Sequence, residues 1–306
     1  MMAKLTVRPA ELSDHDAVTA FTENTWPDRG GDYIPRVFPE WVEEAGDDQQ
    51  TFVAATDDGD VAGILTVVML SEYEAWCQGM RTNPDYRGQG VATRVTERAF
   101  DWAREQGATV ARNMVFSWNV MGLGHSRSVG FSPAAEFRWV HPEPDADADP
   151  AADVTDEVDA GWSFWQRSDA RTELAGLALD MGESWAVSDL SRATLRQAAD
   201  ETSLLVVQDD GTEGLAFRVR DYERENEDGE TVHWADYGLG AWADADAARS
   251  VLAAVSRDAG ELGVDRTRVL VPETARVVSD AALARVEVAA EPDFVLAADL
   301  TRRESR

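Results

Sequence analysis

The stretch NPDYRGQGVATRV, residues 83 to 95, constrains this chain more than any other, because it sets Gly88 and Gly90 between a strand-like run and an amphipathic helix. Glycines in such a turn let the backbone approach a ligand closely. The unpaired amides at the start of the helix then point at negative oxygens. Each charge at an exposed helix end gains about 0.3 to 1 kcal/mol, and a group with several oxygens, such as a pyrophosphate, uses several amides at once. The stretch is neither a Walker loop, which needs G-K-[ST], nor a G-x-G-x-x-G dinucleotide fingerprint.

The surrounding periodicity predicts an order of elements. KLTVRP alternates as a strand, and Ser13 to Asp16 offers a cap for a helix AVTAFTENTW. A second helix is expected from Pro35 to Ala45. Three strand-like runs follow, TFVAAT, VAGILTVVML and YEAWCQGMRT. Val91, Val95, Ala99, Trp102 and Ala103 then recur at helical spacing and Gly107 ends the helix. A strand TVARNMVFSW, a short helix to Val129 and a strand AAEFRWV complete the order βααβββαβαβ.

The segment from His141 to Gly161 is rich in Pro, Ala and Asp and divides the chain into halves of ordinary domain size. The second half repeats the later part of the order. SLLVVQ, GLAFRVRDY and TVHWADYGL read as strands, Asp244 to Leu262 as a helix, TRVLVP as a strand, ETARVVSDAALARV as a helix and FVLAADL as a strand.

Arg87, Gly90 and Ala92 fill an R-x-x-G-x-A pattern after a third consecutive strand, and ten residues separate Asn119 from Gly130-Phe131. On these residues the stretch from about 4 to 140 resembles the GNAT superfamily of acyl-CoA-dependent N-acetyltransferases. The resemblance implies an α/β fold of the α+β kind: two tandem GNAT-like domains, each a mixed, mostly antiparallel sheet flanked by helices. The expected boundaries are 1–143 for an acetyl-CoA-binding domain, 144–160 for an acidic linker and 161–306 for a degenerate domain.

The resemblance also implies roles. The backbone of Gly88, Gln89, Gly90, Val91, Ala92 and Thr93 would bind the pyrophosphate of acetyl-CoA, with Arg87 adding charge or pinning the loop. Met80, Arg81 and Thr82 would lie along the pantetheine arm, and Asn119 near it. The family's tyrosine, seven residues after that Asn, is replaced by Ser126, flanked by His125; the two are the candidates for helping the thiolate leave. Glu74, preferred to Glu72 because it shares a strand face with Trp76 and Gln78, is the candidate general base. Trp26, Asp28, Asp32 and Tyr33, in the loop between the first two helices, and Trp76 are candidate contacts for the amine acceptor. Cys77 reads as a packing residue.

In the second half the matching place reads YGLGAWADADAARSVL, where Asp244 and Asp246 take the helix start and would repel a pyrophosphate. The expected activity is acetyl transfer to a primary amine, in a small molecule or a peptide, by direct attack. The alternatives are an inactive acyl-CoA-binding sensor or scaffold, or an acceptor that is a protein N-terminus or a thiol-cofactor precursor. A homodimer is a candidate assembly.

Charge narrows the partners. The chain has 58 Asp+Glu against 28 Lys+Arg, a net charge of −30, and Lys4 is its only lysine. A basic face for nucleic acid is not expected. This acid coat around 44% apolar residues suggests a salt-adapted protein of halophilic archaeal type, with an acidic cytoplasmic protein from a GC-rich genome as the alternative. No run approaches 18 apolar residues and the start MMAKLTVRPAEL has no apolar h-region, so a cytoplasmic address without membrane is expected. The four histidines and one cysteine show no metal spacing, and no metal is expected.

Overall fold

The computed structural model describes residues 5–23, 25–26, 31–226 and 229–302. They gather into two compact units. The first takes Met1–Val115, Asn119–Pro133 and Val295–Arg306; the second takes Phe116–Trp118 and Ala134–Phe294.

The first unit opens with β1 (Leu5–Pro9), α1 (His15–Thr22), α2 (Ile34–Glu43), β2 (Gln49–Thr56), β3 (Val61–Met69), β4 (Glu74–Thr82), α3 (Val91–Glu105), β5 (Val110–Phe116) and α4 (Val120–Ser128), before β6 (Ser132–His141). This is the predicted βααβββαβαβ order. Antiparallel pairing joins β1 through β4, and β5 lies parallel to β4.

Burial explains the sequence of each element. Ile34, Phe38 and Trp41 recur along α2 and pack with Val18, Val53, Val61 and Ile64 in one core cluster. Val91, Val95, Ala99, Trp102 and Ala103 are the buried stripe of α3. Helices cover β3 on both faces, so it reads as a continuous apolar run rather than an alternating one. Gly63 on β3 matters for the site, because a Cβ there would stand 2.7 Å from Val91 Cγ1 and 3.0 Å from the Arg81 carbonyl oxygen. Without a side chain at 63, the start of α3 lies close against the sheet.

The second unit runs β7 (Asp153–Thr155), α5 (Val158–Trp165), α6 (Asp169–Glu173), β8 (Leu177–Leu179), β9 (Val187–Asp189), α7 (Arg192–Glu201), β10 (Ser203–Gln208), β11 (Thr212–Glu225), β12 (Thr231–Trp242), α8 (Ala245–Leu262), β13 (Arg266–Pro272), α9 (Ala275–Leu283), β14 (Glu287–Val288) and β15 (Asp293–Asp299). Its sheet has the order β6-β13-β12-β11-β10-β7, with β12 and β13 parallel.

Two features depart from a simple cut of the chain. Residues 134–141 of β6 belong to the second unit, whereas residues 295–299 of β15 belong to the first, where β15 lies beside β5. The segment 144–160, expected as a linker, is built into the second unit. Its β7 pairs with β10 through Val206–Thr155, Val207–Val154 and Gln208–Asp153, and the Asp145 amide donates to Ser256 O at 2.9 Å. Among the described residues, no helix is long and apolar enough to cross a membrane.

Candidate active site

The loop between β4 and α3 is tied down at its base and open at its tip. Asn83 Oδ1 accepts from the Asp85 amide at 3.1 Å and its Nδ2 donates to Val61 O at 3.1 Å. The Tyr86 hydroxyl donates to Asp60 at 3.0 Å. Beyond these ties, Gly88 and Gly90 have φ of +74° and +72°, in the left-handed region that favours glycine, and open space lies where a Cβ would stand on either. Gly90 is the N-cap of α3 and has no side chain to cap the amides of Val91, Ala92 and Thr93; the ladder begins with Arg94 N to Gly90 O at 3.1 Å. Gln89 belongs instead to the framework, its amide turned to Tyr86 O at 3.4 Å and its side chain to Asp85 O. Arg87 and Arg94 are exposed. A glycine cradle opening on uncapped amides, with arginines beside it, fits a pyrophosphate.

Beside the cradle the sheet opens. Parallel register between β4 and β5 runs through Glu74–Val110, Ala75–Ala111 and Trp76–Arg112 and ends there, although β4 continues to Thr82. The two strands diverge past Trp76 and Arg112. Within this stretch β4 bulges: Thr66 faces Gln78 and Ile64 faces Arg81, so one extra residue is inserted on β4. Gly79 carries the bulge at φ +67°, and a Cβ there would stand 2.7 Å from the Trp41 ring. Met80, Arg81 and Thr82 thus line the opening side of the bulge. A glycine inside a strand was the available sequence signal for this feature.

Helix α4 supplies the next groups. Asn119 is its N-cap, with Oδ1 accepting from the Gly122 amide at 2.9 Å. His125 Nε2 lies 3.3 Å from Thr96 Oγ1 on α3, and burial lowers the imidazole pKa below its ordinary value, favouring the neutral ring. Ser126 is buried, and its Oγ accepts from Asn113 Nδ2 at 2.9 Å. Sequence reasoning missed Asn113, the residue of β5 directly after the last pair with β4.

Glu74 requires a correction. It stands at the paired end of β4, is 2% exposed, and its carboxylate is held by Arg112 and by Ser71 Oγ at 3.0 Å. A buried carboxylate clamped by a guanidinium is placed as a structural ion pair, which counts against the base role expected for it. Trp76 is likewise buried between its strand neighbours, a core residue rather than an acceptor contact. Cys77 is buried, with its thiol pushed up to about 12 by desolvation, as a packing residue should be.

Of the candidate acceptor contacts, the structure gathers Trp26, Asp32 and Tyr33 around Arg81. Arg81 Nε and Nη2 donate to the two Asp32 oxygens, and Arg81 Nη1 donates to Met80 O at 3.0 Å. The Trp26 ring lies 4.2 Å from the guanidinium carbon and the Tyr33 ring 5.7 Å from it. The Arg81 side chain is thus turned toward Asp32 and Trp26. Asp28 lies outside the described residues.

Residues 15–120 match the model of the acetyltransferase (GNAT) family. A GCN5-related N-acetyltransferase from Sphaerobacter thermophilus superposes with a TM-score of 0.60 at 14% identity, covering 97% of this chain and 96% of that one. The fold is that of the GNAT acetyltransferases. A GCN5-related glucosamine N-acetyltransferase region of a fungal multi-domain β-N-acetylglucosaminidase shares it with a TM-score of 0.59 at 14% identity, over 96% of this chain and 38% of that one. Streptothricin acetyltransferase of Streptomyces lavendulae is 34% identical over 90 residues, 28% of this chain. The match spans a little under half of that relative, 46% of its length. In the GNAT fold of the first unit, the cradle, the bulge and the diverging strands converge.

In the second unit the start of α8 is capped by a carboxylate. Asp244 caps α8, its Oδ1 accepting from the amides of Asp246 and Ala247 at 3.0 Å each. A fixed carboxylate there occupies the donors that the Gly90 cap leaves open.

Proposed function

We propose that the chain is an acetyl-CoA-dependent N-acetyltransferase acting on a primary amine, with both substrates bound together at the first unit. The observation that carries this reading is the pair Gly88 and Gly90, left-handed and open, leading into the uncapped start of α3. Amides of Gly88, Gly90, Val91, Ala92 and Thr93 would hold the pyrophosphate, with Arg87 and Arg94 adding charge locally. Acetyl-CoA, when bound, supplies an acyl group on a thioester that an amine can attack.

The chain's own part is electrostatic and positional. The bulge at Gly79 takes a β4 residue out of the ladder, and an amide released there is suited to donate to the thioester oxygen as negative charge grows on it. The new C–N bond forms as the C–S bond breaks, the amine proton passes to water, and the sulfur leaves as a thiolate. A thiol pKa of about 8.5 makes a strong acid unnecessary, which agrees with Ser126 and a neutral His125 standing where the resembled family has a tyrosine. Trp26 and Tyr33 would present ring faces to the acceptor amine.

The named relative makes streptothricin the first acceptor to try, with glucosamine and a short peptide amine beside it. Thiol release above the acceptor-free background with any of these supports transfer. A second reading, an acyl-CoA-binding sensor without turnover, is favoured by Ser126 being buried against Asn113. Coenzyme A binding by calorimetry with no thiol release for any amine would decide for it. The second unit is read as a degenerate GNAT-like domain whose Asp244 closes the anion site, so one coenzyme A should bind per chain. The same reading takes the protein as cytoplasmic and salt-adapted.

A further inference from the structure

We infer that the second unit binds a small monocarboxylate with an apolar body at Arg220, beside the loop that joins β8 to β9. Three side chains stand in one row across its sheet, because Arg220 of β11 pairs with Asp236 of β12 and Asp236 pairs with Arg268 of β13. A bulge sets the face they share. Arg218 donates to Asp258 of α8, and Val219 drops out of the ladder before Arg220, which turns Arg220 away from α8 and toward the Asp180 loop. Two arginines thus flank a single carboxylate. Arg268 takes both of its oxygens, from Nε at 2.6 Å and from Nη2 at 2.7 Å, and Asp236 is fully buried.

Arg220 is the charge left over. Its Nη2 donates to the carbonyl oxygens of Asp180 and Glu183, while its Nη1 is buried and has no hydrogen-bond partner. The Asp180 carboxylate is engaged within its own loop, with Oδ1 accepting from the amides of Gly182 and Glu183 and Oδ2 from Ser188 Oγ. A guanidinium drawn out of water with a nitrogen unmet is costly, and an anion bonded to it offsets the cost. Burial accordingly pulls the Arg220 pKa below its ordinary value, against the attraction of Asp236, Asp180 and Glu183.

The surroundings select the anion. The Trp185 ring lies 4.0 Å from the Arg268 guanidinium carbon and the Tyr222 ring 5.8 Å from it. Trp185 is 37% exposed and sits at φ +64°, a conformation that costs a bulky residue, so its contacts hold the ring there. Arg220 and Tyr222 are partly exposed as well, so the row meets solvent at this loop. One uncompensated charge suits a monoanion, and ring faces at the rim suit an apolar body behind the carboxylate. A phosphate dianion would bring a surplus charge beside Asp236.

Calorimetry on the full chain with benzoate, benzamide and phosphate is the test. Benzoate should bind saturably, one per chain, whereas benzamide, the same ring without the charge, should not, and phosphate should bind at least about ten-fold more weakly. Arg220→Gln should weaken benzoate at least about ten-fold and Trp185→Ala several-fold, each variant keeping a cooperative urea transition. Should Arg220→Gln fail to fold, Trp185→Ala decides, since it trims a partly exposed ring. No saturable benzoate binding by the parent, equal binding of benzamide or phosphate, or unchanged benzoate affinity in the folded variants overturns the inference. Acetyl transfer at the first unit is measured separately, and its failure or success leaves this site untouched.

Discussion

Asp32 holds Arg81 through two hydrogen bonds, 2.6 Å from Nε and 3.1 Å from Nη2, and its own side chain is fully buried. With the Trp26 ring over the guanidinium, this pair ties Asp32, just before α2, to β4 beside the Gly79 bulge. Removing one partner of a buried pair leaves the other charge without compensation, which costs about 3 kcal/mol. Asp32→Asn should therefore lower the urea midpoint and raise the acceptor KM several-fold. Coenzyme A affinity should hold, since the cradle is built from other residues. A parallel loss of coenzyme A binding would mean that the latch supports the whole site.

Gly90→Ala separates conformation from binding. The open space around Gly90 means that an added methyl meets nothing in the protein, so the folding cost is the left-handed backbone alone, about 1 kcal/mol. The methyl would stand where phosphate oxygens approach the amides. A small loss of stability with at least a ten-fold rise in coenzyme A Kd is expected, and calorimetry beside urea unfolding measures both.

The order of elements was legible because it depends on local periodicity: the buried stripe from Val91 to Ala103 and the apolar run of β3 read the same alone as in place. The cradle was legible because its backbone angles need glycine. What escaped depends on partners distant in sequence. Glu74 looked like a base on strand alternation, and only Arg112, 38 residues on, reveals it as an ion pair. The 144–160 segment had a linker's composition, yet Gly260 on α8 gives the Asp145–Ala146 backbone room to approach, and β7 finds an edge on β10. The assignment of β6 and β15 to opposite units is a matter of non-local strand pairing that no window of sequence displays.

Glu74→Gln tests the corrected role. If the carboxylate serves Arg112 and not the amine, the variant should lose stability by about 3 kcal/mol, because the charge on Glu74 that the Arg112 guanidinium faces is removed. Its pH profile of kcat/KM should keep the parent's shape. A profile whose acidic limb vanishes in the variant would restore Glu74 as the base.

The second unit carries a pH signature at Asp293. Burial raises this carboxyl from 3.8 to about 6, although Trp139 Nε1 donates to it at 3.2 Å. Between those values the folded state keeps a proton that the unfolded state has lost, so stability falls as pH rises through about 6 and then levels. Asp293→Asn removes the ionisation. The variant should match the parent near pH 4 and exceed it by about 2 to 3 kcal/mol at pH 8, read from urea curves at the two pH values. His125 works in the opposite direction, since its lowered pKa makes stability rise with pH up to the unfolded histidine's value. Comparing Asp293→Asn with its parent cancels that contribution.

On the function proposed above, a chain of net charge −30 would bind a polyanion against its own field. The cradle would meet that problem with backbone amides and two nearby arginines, which act over a few ångströms, whereas the repulsion is summed over the whole surface. Salt discriminates between the two: at 1 M the screening length falls to about 3 Å, which removes the long-range repulsion and spares contacts at hydrogen-bond distance. Coenzyme A affinity should therefore hold or rise between 0.1 and 1 M KCl, and the urea midpoint should rise with it as the carboxylates cease to repel one another. Calorimetry and unfolding across a KCl series measure both. A steep fall in affinity would mean that exposed arginine charge, not the Gly88–Gly90 backbone, holds the ligand, and a flat urea midpoint would remove the salt-adapted reading of the acid coat.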